Sequence, residues 1–337
     1  MAGRLEFVKE EYAVREGELQ GTSTGCLREI CGGYAAARGS GRNSFHGPEK
    51  GQKTFSSAEE SGKALYNAAK ASDEKALVEI LGPKGRKLIS SGDAAEDAEN
   101  RASFAKRYEE MNRLVREPDG SVTLYGGPYN WPFPIPLANK GGVWYFDTEG
   151  GEKEILFRRI GRNEISAMHI CQQLVATQKD YYAQHHEYAQ KVFSSEGKQD
   201  GLYWRTEGGA TASPIGPRLA WAFINEAGGQ TGGPATPYRG YYFEMLSSQG
   251  KEAMGGAKSD VSDGKMTGGF AFVAYPAEYR SSGVNTFVVG ADGVLYEKDL
   301  GKRTETIAKS MKELNTDSSW QKSEEAPQQA VSEPPNN

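Results

Sequence analysis

Arg158, Arg159, Arg162, Asn163 and Glu164 form the densest polar cluster in the central part of this chain. Guanidinium groups beside an amide and a carboxylate can hold a carboxylate or phosphate ligand through paired hydrogen bonds. The same residues suit a solvated helix face, or ion pairs with Glu152 and Glu154 that dock two halves of the chain. Trp131 and Phe133 are the second candidate pair. They sit in the run WPFPIPL, where Pro132, Pro134 and Pro136 cannot donate ladder hydrogen bonds and so hold an extended edge or polyproline-like strip. Such a strip offers a rigid apolar edge to a peptide or small ligand, or it packs against the neighbouring helix.

No coherent catalytic set accompanies these groups. His169, His185 and His186 lie on or beside one helix-patterned stretch and His46 is far upstream, so no nucleophile–histidine–acid arrangement is readable. Ser90, Ser91 and Asp93 have the character of a capping turn. Asp260 and Asp263 are spaced like a fragment of a calcium loop, but the expected downstream glutamate is missing. The glycine-rich run 251–269 lacks the strand–helix frame of a nucleotide loop. Cys26 and Cys31 have no zinc-ribbon partners, and Cys171 falls among apolar residues as a small buried hydrophobe. The sequence therefore implies no metal and no cofactor. Tyr238, Tyr241, Tyr242, Tyr275 and Tyr279 crowd the C-terminal strands, as cross-strand pairs or as a surface for carbohydrate or protein.

The elements that must position these groups follow from period and punctuation. From 151 to 192, Ile165, Met168, Cys171, Leu174, Val175, Tyr181, Tyr182 and His185 recur at helical spacing, with Gly161 a possible kink. Upstream, residues 55–82 read as two helices, the first capped by Ser56 or Ser57 with a glutamate three on, and residues 94–115 as a third carrying Phe104, Tyr108, Met111 and Leu114. Strands follow at 121–127 and 141–147. Downstream come a helix over 213–228, a strand at 237–248, and three antiparallel strands in 270–300 with an Asp292-Gly293 hairpin turn. The expectation is an α+β protein: residues 1–52 a disordered or miscalled extension, 53–150 an α+β unit, 151–320 a long helix with an antiparallel sheet, and 321–337 a disordered tail.

Charge and hydropathy limit the function classes. The 45 acidic and 40 basic residues are well mixed and leave a net charge of −5, which argues against nucleic acid as a partner. No window is apolar enough to span a bilayer, and no secretory signal is readable near Met1.

From about Gln52 to Trp320 the stretches QKTFSSAEESGKAL, LISSGD, WPFPIPL, WYFDTEGGEKEILFRRIGRNE, DGLYW, PYRGYYFEML, GGFAFVAYPAEYRSSGVNTFVVGADGVLYEKDLG and DSSW occur in order. In these the chain resembles a bacterial family known as domain of unknown function 2950. That resemblance implies a periplasmic or secreted protein, because such members carry a signal peptide directly before the segment matching Gln52. The N-terminal unit is similar to the cone-shaped nuclear-transport-factor-like architecture, and the C-terminal half resembles pilins and pseudopilins. A pilin, however, has an apolar anchor where this chain has Lys153, Glu154, Arg158, Arg159 and Arg162. The expected function is a non-enzymatic binding or assembly module of the cell envelope, its partner an envelope protein or a small ligand. The alternative is a hydrolase or lyase using Arg158, Arg162 and Glu164 between the two units.

Overall fold

The computed structural model describes residues 47–89, 94–205, 212–223 and 235–323. Residues 1–46 of the expected extension, Ser90, Ser91 and Asp93, and nearly all of the expected tail lie outside them, whereas residues 47–52 of the extension are described and Gln52 is buried. The chain is α+β and divides into two compact units at Arg158/Arg159.

In the first unit, helix α1 (Ala58–Lys70) begins where the Ser57 hydroxyl accepts the amide of Glu60, and the Glu60 carboxylate returns to Ser56. Helix α2 (Glu74–Leu81) is capped by Asp73 and ends at Gly82, whose φ of 78° few other residues tolerate. A 3-10 turn, the short α3 (Arg86–Ile89) and α4 (Ala94–Glu110) follow. The helical spacing predicted α4 to run on through Leu114. The structure ends it at Glu110, where the Asn112 side chain donates to the Tyr108 carbonyl, and Asn112–Arg116 is strand β1. Pairing decides this: every residue of β1 is in antiparallel register with β2 (Val122–Gly126), closed by a turn with Gly120 at φ 88°.

Strands β3 (Trp131–Pro132), β4 (Leu137–Lys140) and β5 (Val143–Phe146) complete this sheet in the order β1-β2-β4-β5, with β3 on β2. Leu65, Leu77, Ile80, Leu81, Phe104, Leu124, Ile135, Leu137 and Phe146 fill the core between helices and sheet. Gln52 is buried there, donating to the Ile80 and Phe146 carbonyls at 3.1 and 2.9 Å.

Helix α5 (Thr148–His185) is continuous through Gly161. It stops at His185, seven residues short of the expected end, and His186 turns the chain with φ 58°. Its buried stripe in the second unit is Glu164, Ala167, Ile170, Cys171, Leu174, Val175, Gln178 and Tyr181. Ile165 and Met168 are only half-buried and Tyr182 and His185 are exposed, so the stripe is turned from the predicted one and includes two polar residues.

The second sheet runs β14-β13-β12-β11-β6, all antiparallel: β6 (Tyr241–Leu246), β11 (Ala271–Pro276), β12 (Asn285–Gly290), β13 (Leu295–Asp299) and β14 (Gln321–Lys322). Strand β11 is buried throughout because its two faces feed two cores. Phe272 and Ala274 join Phe287, Val289 and the α5 stripe, while Ala271, Val273 and Tyr275 join Val288 and Ala308 of helix α7 (Thr304–Ser310). The Asp292-Gly293 turn joins β12 to β13, with Gly293 at φ 77°. Of the helix expected over 213–228, the described residues 213–223 form one turn, α6 (Pro217–Ala220), and the remainder lies outside the described residues. Within the expected glycine-rich loop the structure forms short ladders: β7 (Ser248–Gln249) with β8 (Lys258–Ser259), and β9 (Val261–Ser262) with β10 (Lys265–Met266).

Candidate ligand-binding site

The arginine-rich turn of α5 contains residues of both units. In the first unit, Arg158 pairs with Glu154 at 2.7 Å and donates from Nη1 to the Pro132 carbonyl at 2.8 Å, so it fastens the proline strip to the helix. Gly151 allows that approach, since a Cβ there would stand 2.6 Å from Ile135 Cγ1. Phe133 is buried between Phe104 and Phe146, with centroids 5.3 and 6.0 Å away, while half-buried Trp131 lies under the Arg107 guanidinium.

In the second unit, the Asn163 amide donates to the Ser282 carbonyl at 2.8 Å beside Gly240, where no Cβ fits. Glu164 is 4% exposed, and its Oε1 accepts the amides of Val284 and Asn285 at 2.8 and 2.9 Å. Burial pushes its carboxyl above the ordinary range despite those two amides. Arg159 is half-buried with Nε unpartnered, and Arg162 is half-buried. Asn163 and Glu164 thus clasp the 282–285 turn.

The other singled-out residues are similarly placed by packing. His185 stacks on Tyr181 at 4.2 Å. Tyr241 is fully buried and donates to the Asn285 carbonyl, and buried Tyr275 donates to Glu244. Tyr279 donates to Asp299. Asp263 makes a turn at φ 52°.

Asp260 leads elsewhere. Its side chain is fully buried and neither oxygen has a hydrogen-bond partner; the Lys258 ammonium stands 3.7 Å from Oδ1. Burial pushes this carboxyl up and Lys258 only partly offsets it. Its main-chain carbonyl accepts the amides of Thr267 and Gly268, and a Cβ at Gly269 (φ 150°) would lie 2.8 Å from Oδ1. Glycine is therefore required where the backbone crosses the carboxyl.

That glycine pair forms one wall of a cavity of about 210 Å³. Three other stretches complete it. Gln249 and Lys258 face each other across the β7–β8 ladder, with Met254 in the turn between them. Gly290, Asp292 and Tyr296 come from the β12–β13 hairpin. Leu314 and Thr316 follow α7, and the segment is tied down by reciprocal backbone bonds with Ser248 and Gly250 and by Asn315, which accepts the Glu252 amide. Gln249 Oε1 is buried without a partner, a cost of about 1–3 kcal/mol for an acceptor left unmet. Met254 is 76% exposed beside it.

None of Gln249, Lys258, Tyr296 or Thr316 was singled out by sequence. The glycine-rich run 251–269 was the available signal, and it bears on the cavity through backbone geometry rather than phosphate chemistry.

An α+β protein of this kind is defined by its two antiparallel sheets and long helix. Residues 52–323 match the family model described as Protein of unknown function (DUF2950), and the chain belongs to that family. No curated protein and no solved structure matches the chain, so the pilin-like and nuclear-transport-factor-like similarities rest on sequence pattern alone. Among the described residues no helix is long and apolar enough to cross a membrane.

Proposed function

We propose that this protein is a non-catalytic binding module of the bacterial cell envelope, periplasmic or secreted, that holds a small ligand in its C-terminal unit. The observation that carries the binding reading is the cavity of about 210 Å³ in the second unit, which brings Gln249, Lys258, Asp292 and Thr316 together with Met254, Tyr296 and Leu314. A cavity with a few convergent polar groups among apolar ones is the usual form of a small-molecule site. The envelope location is carried by the family resemblance alone. Arg158, Asn163 and Glu164 support the reading indirectly, because their polar atoms are engaged in holding each unit together. Arg159, Arg162, Trp131 and Phe133 do not line this cavity, and Phe133 is buried in the core of the first unit.

The test is native mass spectrometry of the protein after exposure to the low-molecular-weight fraction of a bacterial envelope extract. A bound mass is expected in the wild type and absent from Thr316→Trp, which fills the cavity, at an unchanged melting temperature. No retained mass and no thermal shift from the extract would overturn the binding reading.

A further inference from the structure

We infer that β1 is a homodimer seam: two copies of this chain join edge to edge through Asn112–Arg116, antiparallel about Leu114, to make one continuous sheet. The seam lies in the first unit, apart from the ligand cavity of the second. Strand β1 ends its sheet, and among the described residues no strand pairs with its outer side. The phase of the ladder shows which groups are on offer there. The Gly127 amide donates to the Met111 carbonyl and the Glu117 amide to the Ser121 carbonyl, both at 2.9 Å. Bonded residues alternate in an antiparallel pair, so Met111, Arg113, Val115 and Glu117 face β2. On the far side of β2, the Leu124 carbonyl accepts the Phe133 amide, which agrees with its register partner Leu114 being turned outward. The N–H and C=O groups of Asn112, Leu114 and Arg116 therefore point out from the open edge, a row that one more strand can satisfy.

The side chains leave that edge clear and select a second copy as its occupant. Charged edge strands ordinarily repel other strands. Here the Arg113 guanidinium lies 5.2 Å from the Tyr125 ring centroid and that of Arg116 lies 6.0 Å from Trp144, so both lean back over their own sheet. Pairing two copies about Leu114 sets Leu114 against Leu114, Asn112 against Arg116 and Arg113 against Val115, so no like charges meet. The outward residues Asn112, Leu114 and Arg116 are then all in bonded pairs. Glu117 of each copy falls diagonally across from Arg113 of the other on the same face, an opposite-charge contact that the two-fold axis makes twice. Slipping one copy by two residues is the smallest shift that keeps the bonding phase. In one direction it sets Arg113 against Arg113; in the other it sets Asn112 against Pro118, which has no N–H to give.

The experiment is analytical ultracentrifugation of the full chain from about 10 µM to about 1 mM, with amide hydrogen exchange followed over the same range. The seam is one short strand, so a weak dimer with a Kd of about 0.1 mM is expected. Exchange at the Asn112, Leu114 and Arg116 amides should slow as concentration rises, while that at Arg113 and Val115, already bonded to β2, should not change. Val115→Arg sets like charges across the seam and should weaken the dimer about tenfold; Val115→Glu meets Arg113 of the second copy and should tighten it about tenfold. Both replace the same half-buried valine, so an effect on folding alone would move them the same way. A monomer at every concentration overturns the inference. Edge amides already protected in the dilute protein also overturn it, since another segment or a bound partner would then hold the edge. A dimer that leaves those amides unmoved, or that the two variants shift alike, places the seam elsewhere and overturns it too.

Discussion

Replacing Glu164 separates an acceptor role from a charge role. Its Oε1 accepts two backbone amides, from Val284 and Asn285, in a side chain only 4% exposed. Glu164→Ala leaves both amides without their acceptor. At about 1–3 kcal/mol for each unmet amide the loss is about 2–6 kcal/mol, and the relief of no longer burying a carboxyl brings the net to the lower part of that range, about 2–4 kcal/mol. Glu164→Gln keeps a carbonyl oxygen for the amides and removes the ionisable group, so its cost is about 1 kcal/mol or less. The two substitutions also differ in pH response. The folded carboxyl titrates above its ordinary 4.5 because burial outweighs the two hydrogen bonds. Between 4.5 and that raised value the folded state binds more protons than the unfolded state, so its contribution to stability rises as pH falls through this window. Urea unfolding of wild type, Glu164→Ala and Glu164→Gln at several pH values between 4.5 and neutrality reads both effects. Wild type should gain on Glu164→Gln as pH is lowered. An alanine variant within about 1 kcal/mol of wild type, or a glutamine variant as unstable as alanine, would refute the clasp.

Three further outcomes follow from the packing. Gln178 is fully buried and bonds both the N–H and the C=O of Ala189, at 2.9 and 2.8 Å; Gln178→Ala should cost about 2–4 kcal/mol and speed hydrogen exchange at the Ala189 amide. The Cys171 thiol, fully buried and pushed up to about 12 by burial, should resist alkylation in the native protein and react on unfolding, as read by mass mapping. Burial alone would raise the Asp200 carboxyl, but the Lys191 ammonium at 2.9 Å and the Ser195 amide at 2.8 Å bring it down to about 2. Its small stabilising contribution is present above 3.8 and is lost as pH falls toward 2, so Asp200→Asn should flatten the acid end of the stability profile.

Local signals carried well where the chain's own chemistry decides the outcome. The Ser57 cap, the Gly82 stop and the Asp292-Gly293 hairpin turn were readable because each is settled within a few residues. Leu114 was misplaced because helical spacing does not register an upcoming strand partner; pairing with Leu124 overrides it. The α5 stripe was turned for a related reason. Apolar periodicity cannot credit Glu164 or Gln178 with core positions, since their buried partners are backbone groups of distant segments. The arginine cluster was visible by composition, but whether a guanidinium meets ligand, carboxylate or backbone carbonyl is a property of the fold. The cavity was not legible because its walls come from four stretches between residues 249 and 316 that only the fold brings together; the glycine-rich run and the Asp292-Gly293 turn signal backbone turns and not a site.

A crystal structure of the protein bearing the molecule it retains from an envelope extract is the most direct test of the proposed role. The expected result is an intact small molecule seated in the cavity lined by Gln249, Lys258, Tyr296 and Thr316. A cleaved product, or a ligand seated away from this cavity, would contradict it.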